Sequence, residues 1–317
     1  MFSISALRRY WHQNKYRIIA ILVMIATIII IIQVLNQIAK ITMGDKTNIV
    51  SDTNIYRPDK TAISGGTLPK EQAQTNSSII EYFIKFCNEG NKEQAYALLS
   101  TECKEAMFPT VKEFDEIYYS KIFSEKREYN IQSWMTVKSR YTYKVRILSD
   151  ILSTGNYNKS QVYEDYMTIV KEDDGYKLNI NKFIGKENIN KEAEQDNIKV
   201  KVISKEMYYD YEVYNIRFEN NTDNDIIIDS QEKINTVYLS NEDDVIYSSL
   251  LHELADSNLL VYSKTYTDVA IKFSKVYDEN LKVDYMNFTD IILNKKEYFN
   301  QTNKEEYQDR TSIRVEI

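Results

Sequence analysis

From Ile18 to Ala39 the chain reads IIAILVMIATIIIIIQVLNQIA, without one charged residue. A helix that is apolar on every side has no wet face to present, so it does not suit the surface of a soluble domain. At 1.5 Å rise per residue, roughly 20 such residues match the hydrocarbon thickness of a bilayer. Each central Ile or Leu favours insertion by about 0.3–0.6 kcal/mol, enough to offset Gln33. The segment therefore predicts a transmembrane helix over residues 18–39. A cleavable signal needs small residues one and three positions before the cut; Gln37 holds the second of these ahead of Ala39, which favours an uncleaved anchor. Arg8, Arg9, Lys15 and Arg17 precede the helix with no acid among them. That asymmetry predicts a single-pass protein of the cell membrane, with residues 1–17 as a cytoplasmic tail and the rest extracytoplasmic.

The chain holds 47 acidic against 40 basic residues, and four of the bases lie before the apolar run. Such an acidic body argues against nucleic acid as a partner, which requires a basic face to replace phosphate counterions. Ile, Lys, Asn and Tyr are heavily used, as in an AT-rich bacterial gene. The Asn-x-Ser/Thr matches at Asn158, Asn220 and Asn287 are therefore given no weight as glycosylation sites.

Residues 40–76 show no sustained apolar period and contain a Gly-Gly pair and two of the three prolines, which predicts an extracytoplasmic linker. Apolar positions then recur at helical spacing. Ser77 or Ser78 would cap a helix carrying Ile79, Ile80, Phe83, Phe86 and Cys87, ended by Gly90 in a left-handed turn. A second helix carries Ala95, Leu98, Leu99 and Cys103. A third follows Pro109, with Thr110 and Glu113 as a capping box. Beyond them the period becomes two, over Tyr141–Ile147 and Val162–Val170, and an Asp174-Gly175 turn separates the last strands. Helices followed by consecutive antiparallel strands predict an α+β domain over residues 77–185.

The block FIKFCNEGNKEQAYALLSTECKEAMFPTVKEF resembles the opening helices of NTF2-like domains of the exported bacterial type. The shared features fall on Gly90-Asn91, on Ala95-Tyr96-Ala97-Leu98-Leu99 and on Phe114, and the later strands ending in GYKLNINKFI fit as well. The resemblance implies helices on a curved sheet that can form a cone-shaped pocket. The side chains implied as its lining are Tyr141, Tyr143, Asp150, Tyr163 and Asp165. Some relatives of that fold place a carboxylate base there, but residues 77–185 contain no histidine, and packing or solvated strand faces account for the same residues. No catalytic, cofactor-binding or metal-ligating set is assigned.

Cys87 and Cys103 are the only cysteines. They are candidates for a disulfide, worth about 3 kcal/mol for a loop of this size, or for two small core hydrophobes. The polar stretch 186–197 reads as a hinge or a short helix. Residues 198–317 carry about seven short strands separated by turn clusters such as ENNTDND and SNEDD, which predicts an all-β sandwich. VYNIRFENNTDNDIII and YMNFTDIIL resemble immunoglobulin-like domains. The acidic segments around Asp223–Asp229 and Glu242–Asp244 lack the Gly and terminal Glu of a calcium loop.

Three functions fit these expectations. The first is a membrane-anchored scaffold that binds envelope proteins or copies of itself, as in a conjugation or secretion complex. The second is a module holding an apolar molecule, peptide or wall fragment in the cone. The third, a tethered enzyme, is disfavoured by the lack of a nucleophile motif or metal cluster.

Overall fold

The structure is a computed structural model that describes residues 68–137, 140–149, 162–230, 232–242, 245–251, 254, 259–274 and 282–317. The expected tail, the apolar segment 18–39 and the linker up to residue 67 lie outside the described residues, as does Asp150. The expectation of a single-pass transmembrane protein is corrected on this point: among the described residues no helix is long and apolar enough to cross a membrane.

Strands dominate. The described residues form fourteen strands, one helix of 19 residues and otherwise helical segments of seven residues or fewer. The α+β expectation, an NTF2-like helix-on-sheet domain behind a membrane helix, is thus corrected to a mainly β chain. Helical spacing was real but short-lived. Gly90, the extended Ser100 and Pro109 each interrupt it, so the region after the first helix is a string of single turns.

That first helix, α1 (Lys70–Asn88), begins eight residues earlier than a Ser77 cap predicts. The polar run QAQTNSS belongs to it because Ala73, Asn76 and Ser77 face the core, and the Asn76 amide donates to the Tyr143 hydroxyl at 3.0 Å. Its end is as expected. Gly90 adopts φ +78°, Asn91 N–H returns to Phe86 C=O at 2.9 Å, and Gly90 N–H reaches Cys87 C=O at 3.2 Å, a Schellman ending. Short helices α2 (Lys92–Ala97), α3 (Thr101–Met107) and α4 (Val111–Phe114) follow, the last capped by Thr110 on Glu113 N–H. A π turn (Asp115–Tyr119) and α5 (Ser120–Ile122) complete the helical part.

Four antiparallel strands make the first sheet in sequential order: β1 (Arg127–Val137), β2 (Arg140–Ser149), β3 (Val162–Glu172) and β4 (Gly175–Asn179). The β3–β4 turn falls on Asp173-Asp174, because Gly175 is already paired with Glu172. The predicted hinge 186–197 is instead most of a 13-residue strand, β5 (Phe183–Gln195). Its polar composition reflects exposure at a sheet edge, and pairing with β6 holds it extended.

The second lobe is two sheets over a shared core. One runs β12-β7-β6-β5, with β6 (Ile198–Tyr208), β7 (Tyr211–Asn220) and β12 (Thr265–Ser274). The other is built from β8 (Ile226–Ile227), β9 (Val237–Ser240), β10 (Val245–Ser248), β11 (Leu260–Val261), β13 (Tyr285–Ile292) and β14 (Arg310–Glu316). Helix α6 (Lys295–Asn300) bridges β13 and β14. Val200, Val202, Ile216 and Phe218 from one sheet meet Leu239, Met286, Phe288 and Ile313 from the other. Phe218 and Phe288 touch edge to face, with centroids 5.1 Å apart. Lys199, Lys201 and Lys205 lie on the outer face, as the two-residue period requires.

Near the start of β5, Gly185 is crossed by Arg140, whose guanidinium donates to the carbonyls of Ile184 (2.8 Å) and Lys186 (3.2 Å) and meets Glu102 at 3.3 Å. A Cβ at this position would lie 1.0 Å from Arg140 Nη1. Gly185→Ala should therefore displace the guanidinium and destabilise the fold by about 1–3 kcal/mol. Urea unfolding checks this: the Arg140→Ala background should show a smaller loss from the same substitution, because the obstruction is gone.

Candidate functional site

The residues expected to line a pocket do share one face. In the β2–β3 register, Tyr141 sits opposite Ile169, Tyr143 opposite Met167, Val145 opposite Asp165 and Ile147 opposite Tyr163. With a two-residue period, all of these turn toward the helical layer. Asp150 cannot be placed with them.

That face is covered. Phe83, Phe108, Phe114, Tyr118 and Tyr143 are each at most 1% exposed and fill the space between helices and sheet. Tyr118 sits among the rings of Phe83, Phe108, Phe114, Phe123 and Tyr163, with centroids 6.0–6.5 Å away. Aromatic edges and faces at such spacings add attraction beyond burial alone.

Asp165 lies at the bottom of this packing, fully buried. Its Oδ2 accepts from the Tyr118 hydroxyl at 2.7 Å and from Asn181 N–H at 2.9 Å. Its Oδ1 accepts from Tyr166 N–H at 2.7 Å and Lys182 N–H at 2.8 Å. Burial raises the carboxyl pKa, while the Tyr118 hydroxyl and the three backbone N–H groups pull it down. With two donors on each oxygen, the group is spent on structure and has no lone pair directed at an open space. A general base must reach its substrate proton at about hydrogen-bond distance, and Asp165 lacks that access. Burial also pushes the Tyr143 hydroxyl up to about 12, away from acid–base work near neutrality.

The sequence places Tyr118 on the third helix as a packing position only, and shows neither its bond to Asp165 nor the β4–β5 turn. Asn181 and Lys182 both adopt positive φ, +58° and +64°, and Phe183 N–H closes on Ile180 C=O at 3.2 Å. Two consecutive left-handed residues make a type I′ turn, for which Asn is well suited. The Asn181-Lys182 pair between two apolar runs was the available signal. This turn aims two N–H groups at Asp165, and its Lys182 carbonyl accepts Tyr209 N–H at 3.0 Å.

Tyr209 belongs to the β6–β7 hairpin, whose tip reads YYDY. Tyr209 stacks on Tyr166 with centroids 3.6 Å apart and meets Trp134 edge-on at 5.0 Å, on the outer face of the first sheet. Tyr208 and Tyr211 stack on each other at 4.4 Å, and Tyr208 packs on Phe183 in the inner core. The hairpin thus grips both faces of the first lobe.

Cys87 and Cys103 are free thiols in that core, not a disulfide. Burial pushes the Cys103 thiol up to about 12 and raises Cys87 as well. Among the described residues, no group of three His, Cys, Asp or Glu side chains is placed to hold a metal. The acidic loop expected near Asp223 is internally bonded: Asn220 Nδ2 donates to Asn224 C=O at 2.7 Å, Ser263 N–H to Asp225 at 3.0 Å, and Lys264 pairs with Asp223 at 3.0 Å. Asn220 and Asn287 are buried, so neither offers its amide to a glycosylating enzyme.

A cleft of about 230 Å³ lies elsewhere, where Ala193–Gln195 of β5 pass Asn287–Thr289 of β13 and Ser312–Arg314 of β14. The β13–β14 ladder shifts register between Phe288 and Ile291, so Thr289 and Asp290 stand opposite Ser312. Such a bulge redirects side chains; here Asp290 turns inward to pair with Arg310.

Two outcomes test this geometry. Tyr118→Phe should cost about 1–3 kcal/mol in urea unfolding, because it leaves a buried carboxylate short of a donor, and Asp165→Asn should cost at least as much. In addition, the two thiols should react with a disulfide reagent only slowly at neutral pH in the native protein and promptly in denaturant, since the thiolate is the reacting form. No family model, curated protein or solved structure matches this chain.

Proposed function

We propose that this protein is a protein-binding scaffold that acts through its outer surfaces, without chemistry in an enclosed site. The observation that supports the reading most is the filled interior: the side chains expected to line a pocket are packed against one another, and the buried carboxylate among them is bonded on both oxygens. An enzyme or small-ligand carrier needs a concave site with a few convergent polar groups. The shape also suits presentation of surfaces. The first sheet ends in β1, the second in β5 and β12, and β14 pairs on one side only, with β13. Strand edges of this kind are used by partners that add a strand or pack alongside.

Photo-crosslinking residues placed singly at exposed positions of the full chain test the reading in its native cells. We expect neighbouring positions to capture the same partner, either another protein or a second copy. A chain that crosslinks to nothing from any face, while purified protein turns over or retains a small molecule, would contradict it.

A further inference from the structure

Between β13 and β14 the chain crosses over through α6 and a single 3-10 turn (Lys304–Glu306). Tyr298 of α6 packs edge-on against Tyr307, with centroids 5.4 Å apart, and is 2% exposed. Its hydroxyl has no hydrogen-bond partner among the described residues, a costly condition for a buried donor. Burial and the nearby Glu232 push that hydroxyl up to about 12, so near neutral pH it keeps its proton and can only be met by an acceptor's lone pair. Glu232, Ser230 and Arg310 all act on it electrostatically, but none stands in hydrogen-bonding geometry with it.

The charged groups around this hydroxyl bring more donors than acceptors. Arg310 pairs with Asp290 and donates to the carbonyls of Tyr307 (3.1 Å) and Lys304 (2.9 Å). Asp290 also accepts from Ser230, so both of its oxygens are in use. Glu232 is the remaining carboxylate, and it lies 3.7 Å from the Lys304 ammonium and 3.9 Å from Arg310 Nη2. Charge-assisted hydrogen bonds run to about 2.7–2.9 Å, so neither cation is bonded to it directly. Lys233 stands 3.5 Å from Asp290. Three cations thus share two carboxylates. The Tyr298 O–H, the Lys304 ammonium and the second Nη2 hydrogen of Arg310 converge without a close acceptor.

We infer that this cluster is a binding site for a small oxyanion of the inorganic phosphate class. Such an ion brings several acceptor oxygens to the three donors and balances the surplus positive charge. Glu232 is held only by contacts beyond hydrogen-bond length and its side chain is 28% exposed, so it swings outward to admit the ion. Tyr298 and Arg310 lie deep, the Arg310 side chain being 10% exposed, which restricts the ligand to one without a bulky substituent. Once bound, the ion ties α6 and the 3-10 turn to β14, and so braces the crossover against the second sheet. A brace of this kind goes beyond the scaffold reading and needs no partner protein.

Calorimetric titration of the full chain with inorganic phosphate, near neutral pH and at ionic strength held constant with chloride, tests the site. We expect saturable binding of a single phosphate, and a melting temperature that rises with phosphate concentration as a native-state ligand requires. Lys304→Gln should weaken binding on the order of tenfold or more, because a charge-assisted contact is lost. Tyr298→Phe should weaken it several-fold, yet without phosphate it should melt no lower than the unaltered chain, since it removes an unmet donor. Glu232→Gln should tighten binding, because the competing carboxylate is gone. Thermal unfolding without phosphate confirms that each variant folds. A chain that takes up no phosphate, binding that Lys304→Gln and Tyr298→Phe leave unchanged, or binding that Glu232→Gln weakens would each overturn the assignment.

Discussion

One buried carboxylate organises the first lobe and its junction with the second. Asp165 is far from water, where an ionised carboxylate is costly unless its lone pairs are met by donors. Four donors meet them, and they come from three places: the π turn through Tyr118, its own strand through Tyr166, and the β4–β5 turn through Asn181 and Lys182. Each donor is only correctly placed if its element is. The helical layer, the central strand and the left-handed turn are therefore specified together.

From that turn the constraint passes outward. Lys182 presents its carbonyl to Tyr209, and its ammonium lies 3.6 Å from Asp210. The hairpin tip then sets Tyr208 and Tyr211 against the inner core and Tyr209 against Trp134 and Tyr166 on the other face. The same group that suggests a catalytic base when read as a lone inward carboxylate is a joint in the fold. Its burial closes the interior, which is why the functional reading moves to the surface.

How much of this was legible depended on whether the signal was local. The left-handed end of α1 at Gly90, the Thr110 cap and the alternation through Tyr211–Phe218 could be read, because spacing of a few residues dictates them. So could the shared face of Tyr141, Tyr143, Tyr163 and Asp165. What failed depended on partners distant in sequence. Asn76 looked like linker and Ser77 like a helix cap, because nothing nearby shows Tyr143 across from Asn76. Residues 186–197 looked like a hinge because an exposed edge strand has the composition of a loop, and only β6 reveals it. Tyr118 lies 47 positions from Asp165, and in a chain with 26 tyrosines no single one stands out.

Amide hydrogen exchange in the native protein tests the joint most directly. The N–H groups of Asn181, Lys182 and Tyr209 sit in turns, where exchange is ordinarily fast. Bonded to Asp165 and to the Lys182 carbonyl, they should instead exchange as slowly as the central amides of β2 and β3, through global unfolding alone. Exchange of all three at the rate of exposed turns would show that the carboxylate does not hold the turn, and the joint between the lobes would have to be sought elsewhere.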